Sequence, residues 1–503
     1  MRHFSKLILA SCLLLIVGCI KENDSTETVV DTTVNFQFKT SIPIGGEGAA
    51  EITAYDPISK KLFTVNVASN QIAVSNISAL SSPVQEMPID LNAYGAPNSV
   101  AIHTGRLAVA VEASPKQLPG KVLVFNTLDN TLISEFTVGA LPDMVTFSKD
   151  GNLIITANEG EPNDDYTNDP DGTISIINLK ENSVTNLDFS SFNSEEEALE
   201  AQGFRVFGPN ANLAADVEPE YIAISDDSQT AWVSLQENNG IAKVNLVSKT
   251  IEAIYPLGFK DYNVAGNQID ASDKDTKKAL KNWPVYGMYQ PDAIVSVTIS
   301  GTEYIISANE GDARDYSGFS EEVRVDDLLL DVTAFPAAQD YQNPSNLGRL
   351  KTTTTLGDFD NDGDHDAIYS YGARSFSIWS TNGSLVYDSG NSIAVETLKA
   401  TPDRFNDDDG RSDDKGAEPE SVEVLNIGNE RYILFVGLER NDQVLVYDIT
   451  NPTMPEFLSI LSHTGDEAPE GLLAIKAADS PSGKDLLVVS NEDSGTVTIY
   501  ENM

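Results

Sequence analysis

Five aspartates at alternate positions form the most specific metal-binding pattern of the chain. They occur in LGDFDNDGDHDAIYS, residues 356–370, and are Asp358, Asp360, Asp362, Asp364 and Asp366. Gly363 stands among them, where a sharp turn needs a left-handed backbone conformation. Alternating carboxylates around such a turn can wrap one cation, and the spacing matches an EF-hand-type calcium loop without its terminal Glu. The pattern therefore predicts a structural Ca²⁺ site.

Further carboxylates recur in two short phrases, each of which appears seven times along the chain. The first phrase starts with Pro or Ala, as in EPEYIAIS (218–225) and EPESVEVL (418–425). The residue after that Pro or Ala is Glu51, Asn98, Asp143, Glu220, Asp292, Glu420 or Glu470. The second phrase is a short apolar run, which ends at Val67, Glu112, Glu159, Gln236, Glu310, Glu439 or Glu492.

If the repeats place these acids around one axis, their charges repel unless protons or a cation neutralise them. Oxygen ligands without cysteine or clustered histidine select Ca²⁺, Mg²⁺ or another hard cation. The predicted metal ligands of this channel are Glu159, Glu220, Glu310, Glu420, Glu439, Glu470 and Glu492. The alternative is that Pro-Asp and Pro-Glu are turn residues in solvent at the starts of strands.

Three arginines follow second-phrase strands, namely Arg314, Arg374 and Arg440. Guanidinium groups can clamp a phosphate with two parallel hydrogen bonds. With clustered Ca²⁺ to activate a water, they would serve a metal-dependent phosphoester hydrolase. The alternative is that they balance neighbouring acids, for example Arg314 with Asp312 and Asp315.

The repeated phrases also predict the fold that positions these residues. Three or four short antiparallel strands per unit, repeated seven times, indicate an all-β chain folded as a β-propeller. Seven blades are expected, and eight are possible because residues 367–380 resemble a further pair of strands. Insertions rich in Asp, Asn and Gly interrupt the third to fifth units and are expected over one face. Strand 34–40 is expected to close the ring on the last blade. Helical patterns occur only at 194–201 and 275–281.

Composition excludes several classes of function. The chain of 503 residues carries 77 Asp and Glu against 32 Lys and Arg, a formal net charge of −45. Such acidity opposes binding to nucleic acid or to anionic membrane surfaces. Four histidines are too few for a typical zinc or histidine-based site, and no G-x-S-x-G elbow, P-loop or H-E-x-x-H motif is present.

The N-terminus predicts a lipid anchor. Residues 1–18 have a basic start and a short apolar run, as in a signal peptide, and LIVGC resembles the lipobox of bacterial lipoproteins. Cys19 is then the lipidated residue, 19–34 a flexible tether and 35–503 the propeller domain. The expected location is the outer membrane or cell surface, and the chain is expected to touch the membrane only through the lipid.

Five phrases in order resemble one known family, the choice-of-anchor I domain, which is related to mesenchyme-specific cell-surface glycoproteins. They are ANEGEPND (157–164), SANEGDARDY (307–316), YGARSFSIW (371–379), RSDDKGAEPESV (411–422) and GLERNDQVLVYDIT (437–450). The resemblance implies a secreted or surface-anchored propeller-like domain. Bacterial members are often labelled alkaline phosphatase, which implies hydrolysis of phosphoesters. The rival hypothesis is a non-enzymatic surface module that binds calcium, mineral, a glycan or a protein.

Overall fold

The repeated phrases form seven antiparallel sheets within residues 33–503, the part of the chain that the computed structural model describes. The predicted signal peptide, Cys19 and most of the tether lie outside the described residues.

Each sheet begins with a first-phrase strand, and the second phrase forms the next strand. Sheet 1 consists of Thr53–Asp56, Lys61–Asn66, Gln71–Asn76, Val84–Gln85 and Ile89–Asp90, and sheet 2 of Pro97–His103, Arg106–Val111, Pro119–Asn126 and Leu132–Ala140. Sheet 3 consists of Pro142–Phe147, Leu153–Asn158, Thr173–Asn178 and Ser183–Leu187, and sheet 4 of Pro219–Ile224, Thr230–Leu235, Gly240–Asn245 and Thr250–Pro256. Sheet 5 consists of Ile294–Ile299, Thr302–Asn309, Ser375–Ser380 and Leu385–Asp388. Sheet 6 consists of Pro419–Asn426, Tyr432–Leu438, Gln443–Asp448 and Glu456–Leu461, and sheet 7 of Pro469–Ile475, Leu486–Asn491, Thr496–Asn502 and Phe36–Pro43.

The sheets close into a ring, as a β-propeller requires. The first strand of each sheet contacts the first strand of the next, and that of sheet 7 contacts that of sheet 1. Every residue of the second strand Leu486–Asn491 is buried, because neighbouring sheets cover both faces of such a strand. The prediction of a β-propeller is therefore confirmed.

The ring is closed by the strand at the start of the domain, as predicted. Phe36–Pro43 pairs antiparallel with Thr496–Asn502, from Phe36 opposite Asn502 to Pro43 opposite Thr496. Ser375–Ser380 pairs with Thr302–Asn309 and so completes sheet 5 after a long insertion. Of the strand-like segment 367–380, Ser375–Ser380 thus belongs to the fifth unit, whereas Tyr369–Ser370 is a strand of the insertion.

The insertions form a second small structure with its own core. Their five strands make one mixed sheet in the order Phe259–Asp261, Tyr286–Met288, Tyr369–Ser370, Lys351–Thr353 and Glu322–Arg324, and a hairpin joins Asp315–Tyr316 to Phe319–Ser320. Side chains such as Tyr262, Val325 and Leu347 are buried in this core. The hairpin contacts the insertion of sheet 3, where the Gly318 amide donates to the Asp164 carbonyl at 2.9 Å. The insertions of separate sheets therefore meet on one face.

Helices are few and short. The α-helices are Glu196–Glu200, Leu213–Asp216, Ala338–Tyr341 and Ser392–Ala400, and the 3₁₀ turns are Val67–Ser69, Ser190–Phe192, Val325–Asp327, Pro402–Arg404 and Glu439–Asn441. The helix predicted at 194–201 is present, whereas the one at 275–281 is wrong. There the Lys277 amide is bound by the Asp275 side chain at 2.9 Å, and Lys281 bridges to Ile269. None of the described helices has the length and apolar character needed to cross a bilayer.

Candidate functional site

The residue after the Pro or Ala of every first phrase lies in the wall of one cavity of about 340 Å³ on the channel axis. These seven residues are Glu51, Asn98, Asp143, Glu220, Asp292, Glu420 and Glu470. In sheets 2, 3, 4, 6 and 7 the strand pairing shifts register directly after the Pro, so most of these residues lie in a bulge. Bulges re-aim side chains, here towards the axis.

The second predicted set reaches the cavity only in part. Val67, Glu112 and Glu159 line it, together with Lys116 and Glu161. Gln236, Glu310, Glu439 and Glu492 are not among the lining residues. Gln236 and Glu310 nevertheless contact each other, because the Gln236 amide donates to the Glu310 carboxylate at 2.8 Å.

Burial makes the carboxyl groups of the cavity weak acids. Removal from water, followed by the charges of neighbouring carboxylates, raises the pKa of Glu51 to about 8 and that of Asp143 to about 7. The same causes hold the pKa of Glu220 and Glu470 well above the usual value. Each group must therefore keep a proton or find a positive charge.

Three clusters bring one carboxylate oxygen from each of three residues within 4.8 Å of one another. We call them group A (Glu159, Glu220 and Glu237), group B (Asp292, Glu310 and Glu420) and group C (Glu310, Glu418 and Glu439). Groups A and B share two equivalent positions of the repeat. Each joins the acid after the second strand of one sheet, Glu159 or Glu310, to the first-strand acid of the next sheet, Glu220 or Glu420.

Basic side chains pair with some acids of groups B and C, whereas Asp292 and Glu420 of group B have no ion pair among the described residues. Lys415 forms an ion pair with Glu310 and lies 3.5 Å from a carboxylate oxygen of Glu418. Arg411 donates to Glu418 at 2.7 Å, and Arg440 pairs with Glu439 at 2.8 Å.

Group A has no ion pair within the described part of the chain. Lys116, the lysine in the cavity wall, pairs with Glu161 instead. Oε2 of Glu220 and Oε2 of Glu237 are buried without a hydrogen-bond partner, and in group B the same holds for one oxygen, Oε2 of Glu420. Orphaned carboxylate oxygens in an all-oxygen donor set fit a hard cation such as Ca²⁺ or Mg²⁺.

Two of the three arginines predicted to bind phosphate instead bind carboxylate or carbonyl groups of the protein. Arg314 is buried and pairs with Asp216 at 2.7 Å and with Glu218 at 2.9 Å. Arg374 is also buried and donates to the carbonyl oxygens of Asp270 at 2.7 Å and Ser412 at 3.1 Å. Neither lines the axial cavity, and both have protein partners.

Arg440 differs from them, because 35% of its side chain is exposed. It lies beside group C, so its guanidinium combines solvent access with nearby carboxylates.

The aspartate-rich segment forms an exposed loop in which Gly363 adopts the expected positive φ of 96°. Its acids converge in two clusters: Asp358, Asp360 and Asp366; and Asp331, Asp364 and Asp366. Asp362 is instead used in the turn, where it accepts from the Asp364 amide at 3.1 Å. Mutual repulsion, chiefly by Asp362, raises the pKa of Asp360.

Sequence reasoning missed Glu237, Glu418, Lys415 and Asp331. Glu418 directly precedes the Pro of a first phrase, two residues before the predicted metal ligand of that phrase. Glu237 directly follows Gln236, which stands at the end of the second phrase where other units have Glu. A search that allowed this acid to shift by one residue would have found it. Lys415 and Asp331 lie in insertions, which have no repeat to reveal them.

Solved structures of very different sequence match this chain over most of its length. Hydrazine synthase of Kuenenia stuttgartiensis is 11% identical, with a TM-score of 0.49 and coverage of 90% of this chain and 96% of that chain. The Cps50 (Swd1) β-propeller domain of Myceliophteria thermophila is 7% identical, with a TM-score of 0.47 and coverage of 93% and 100%.

Two curated proteins are similar in sequence. Gigasin-3a of Magallana gigas is 34% identical over 188 residues, which are 32% of this chain and 66% of that protein. The mesenchyme-specific cell surface glycoprotein of Strongylocentrotus purpuratus is 27% identical over 326 residues, 53% of this chain and 40% of that protein. The matches thus span about two thirds of one relative and two fifths of the other.

One family model, the choice-of-anchor I domain, matches residues 51–452, which include the first-phrase strands of sheets 1 to 6 and the intervening insertions. The protein belongs to the choice-of-anchor I domain family.

Proposed function

We propose that this protein is a surface-anchored propeller module that binds a hard divalent cation, Ca²⁺ in the first place, in its central channel. The observation that carries the proposal is the set of first-phrase acids on one cavity, with buried carboxylate oxygens that lack any hydrogen-bond partner. A divalent cation would supply the charge that these acids lack, and oxygen ligands favour Ca²⁺ or Mg²⁺.

Calcium binding is tested by thermal unfolding of the full chain in Ca²⁺ and in chelator. A ligand that binds only the folded state raises the melting temperature by mass action. Asp366→Ala removes the acid shared by both loop clusters, so any calcium response that remains reports on the channel. If Asp366→Ala loses the whole response, the channel does not bind calcium.

The surface location rests on the family and on the printed name of the sea urchin relative, a cell surface glycoprotein. The anchor on this chain would be a lipid on Cys19, which lies outside the described residues. Cys19→Ser should leave either an unprocessed precursor or a protein in the soluble fraction. Retention of a processed Cys19→Ser protein in detergent-soluble membranes, unchanged from the parent, would contradict lipid anchoring.

Phosphoester hydrolysis is the second candidate, and Arg440 is the observation that favours it. Its partly exposed guanidinium beside group C could hold a phosphoryl group near bound metal. The test is hydrolysis of an aryl phosphate and an aryl phosphodiester at pH 7 to 10, with Ca²⁺ and with chelator. Equal rates for the parent and Arg440→Ala would leave cation binding as the function.

A further inference from the structure

Groups A and B occupy equivalent places in the propeller but have different electrostatic surroundings. Group A lies between sheets 3 and 4, and group B between sheets 5 and 6. Both contain the acid that ends a second strand and the acid of the next first strand. Their third members differ, Glu237 after the second strand of sheet 4 and Asp292 before the first strand of sheet 5, and so do the bases that the insertions contribute.

In group B the insertion before sheet 6 contributes an ammonium group. Lys415 has 14% of its side chain exposed and pairs with Glu310. Burial lowers the pKa of Lys415, but the charges of Glu310, Asp312 and Glu418 outweigh that effect and hold this pKa well above its usual value. Both oxygens of the Glu310 carboxylate have partners, because the other oxygen accepts from Gln236 at 2.8 Å.

In group A no base takes that place within residues 33–503. Glu237 is only 5% exposed, and its Oε2 has no hydrogen-bond partner. A carboxylate oxygen of Glu237 lies within 4.8 Å of oxygens from Glu159 and Glu220. A buried acid with one orphaned oxygen, facing two other acids, leaves a demand for positive charge that no ion pair among the described residues meets.

We infer that a divalent cation binds at group A through Glu159, Glu220 and Glu237, and that Lys415 replaces a second cation at group B. This inference rests on the proposed function and assigns the ion to one of two equivalent places. Removal of the Lys415 charge then turns group B into a second cation site. Removal of the Glu237 charge destroys the first.

The test is a calcium titration by calorimetry on the full chain in detergent, with Asp366→Ala as the background so that the exposed loop does not contribute. The background protein should bind one Ca²⁺ per chain. Glu237→Gln should bind none, and Lys415→Met should bind two. The matched controls are Glu456→Gln, an exposed glutamate, and Lys399→Met, an exposed lysine, which should both bind one.

The outcomes separate the inference from the proposed function. A background protein that binds no calcium means that the proposed function has failed. One bound ion in both the background and Glu237→Gln overturns group A as the site. One bound ion in Lys415→Met overturns the role of Lys415. Lys415→Met that stays unfolded even in excess Ca²⁺ also overturns it, because the ion would then be unable to replace the ammonium group.

Discussion

Two adjacent regions of this propeller bury acids in opposite ways. At Asp216 and Glu218 the partner is Arg314, whose guanidinium also donates to the Asp216 carbonyl at 2.6 Å. At Glu159 and Glu220, in group A, the carboxylates face one another and Glu237 without an ion pair in the described structure. The acids of the first region have their base within the protein, whereas those of the second must keep protons or receive a positive charge from outside.

The energies of the two arrangements also differ. A buried ion pair loses hydration but regains much of it from its partner, so removal of one member leaves the other uncompensated. Unpaired buried acids are tolerated when protonated, and they become costly when ionised. The comparison therefore predicts that mutation is most damaging at Arg314, whereas pH and metal ions act mainly on the cavity.

The largest expected effect is that of Arg314→Ala. It would leave Asp216 and Glu218 buried without their base, and we expect a loss of about 3–5 kcal/mol in the free energy of unfolding. Denaturant titration of the variant against the parent measures this value. A loss below about 1 kcal/mol would mean that Arg314 is not a structural ion-pair partner. It would then favour the phosphate-binding role predicted from the sequence.

The second effect is a loss of stability with rising pH in the absence of metal. Burial and neighbouring acids raise the pKa of Glu51 from 4.5 in the unfolded chain to about 8 in the folded protein. Below pH 4.5 both states hold this proton. As the pH rises towards 8 only the folded state keeps it, so stability falls across that window.

We expect that fall to be on the order of 3 kcal/mol in chelator, and to be smaller with Ca²⁺, which stabilises the ionised carboxylates. Melting temperatures from pH 5 to 8, with chelator and with Ca²⁺, measure it. Glu51→Gln should flatten the chelator curve. A chelator curve that rises with pH would contradict unpaired acids in the cavity.

The same contrast explains which features the sequence could predict. The acids at Glu51, Glu220 and Glu470 were predictable because each follows the same start of a repeated strand, and a repeat that closes into a ring brings equivalent positions together. The closing strand Phe36–Pro43 was predictable because an unpaired first strand needs a partner at the open edge.

The partners of the bases were not predictable, because the insertions have no period. Arg314 pairs with residues almost a hundred positions earlier in the chain, not with its neighbours Asp312 and Asp315. Lys415 reaches Glu310 across the insertion of sheet 5. Such pairs depend on how loops from different sheets fold onto one another, which a local pattern does not report.

A third and smaller effect is expected from the exposed aspartate loop. Its acids repel each other in solvent, where screening limits the cost, so metal binding there should add less than binding in the cavity. Asp366→Ala should reduce the calcium-induced stabilisation by about 1.4 kcal/mol at a calcium concentration ten times the Kd of the loop. An unchanged response to calcium would show that the loop is not a calcium site.

The smallest effect is expected for Arg440→Ala. Arg440 pairs with Glu439 at 2.8 Å, but 35% of its side chain is exposed, and exposed ion pairs contribute about 0–1 kcal/mol. The free energy of unfolding should therefore change by less than about 1 kcal/mol, in contrast to Arg314→Ala. Because the cost in stability is small, Arg440→Ala tests phosphoester hydrolysis more cleanly than Arg314→Ala. Loss of phosphoester turnover in a fully folded Arg440→Ala variant would show that the guanidinium binds the substrate. A large loss of stability would instead place Arg440 with Arg314, among the bases that hold buried acids.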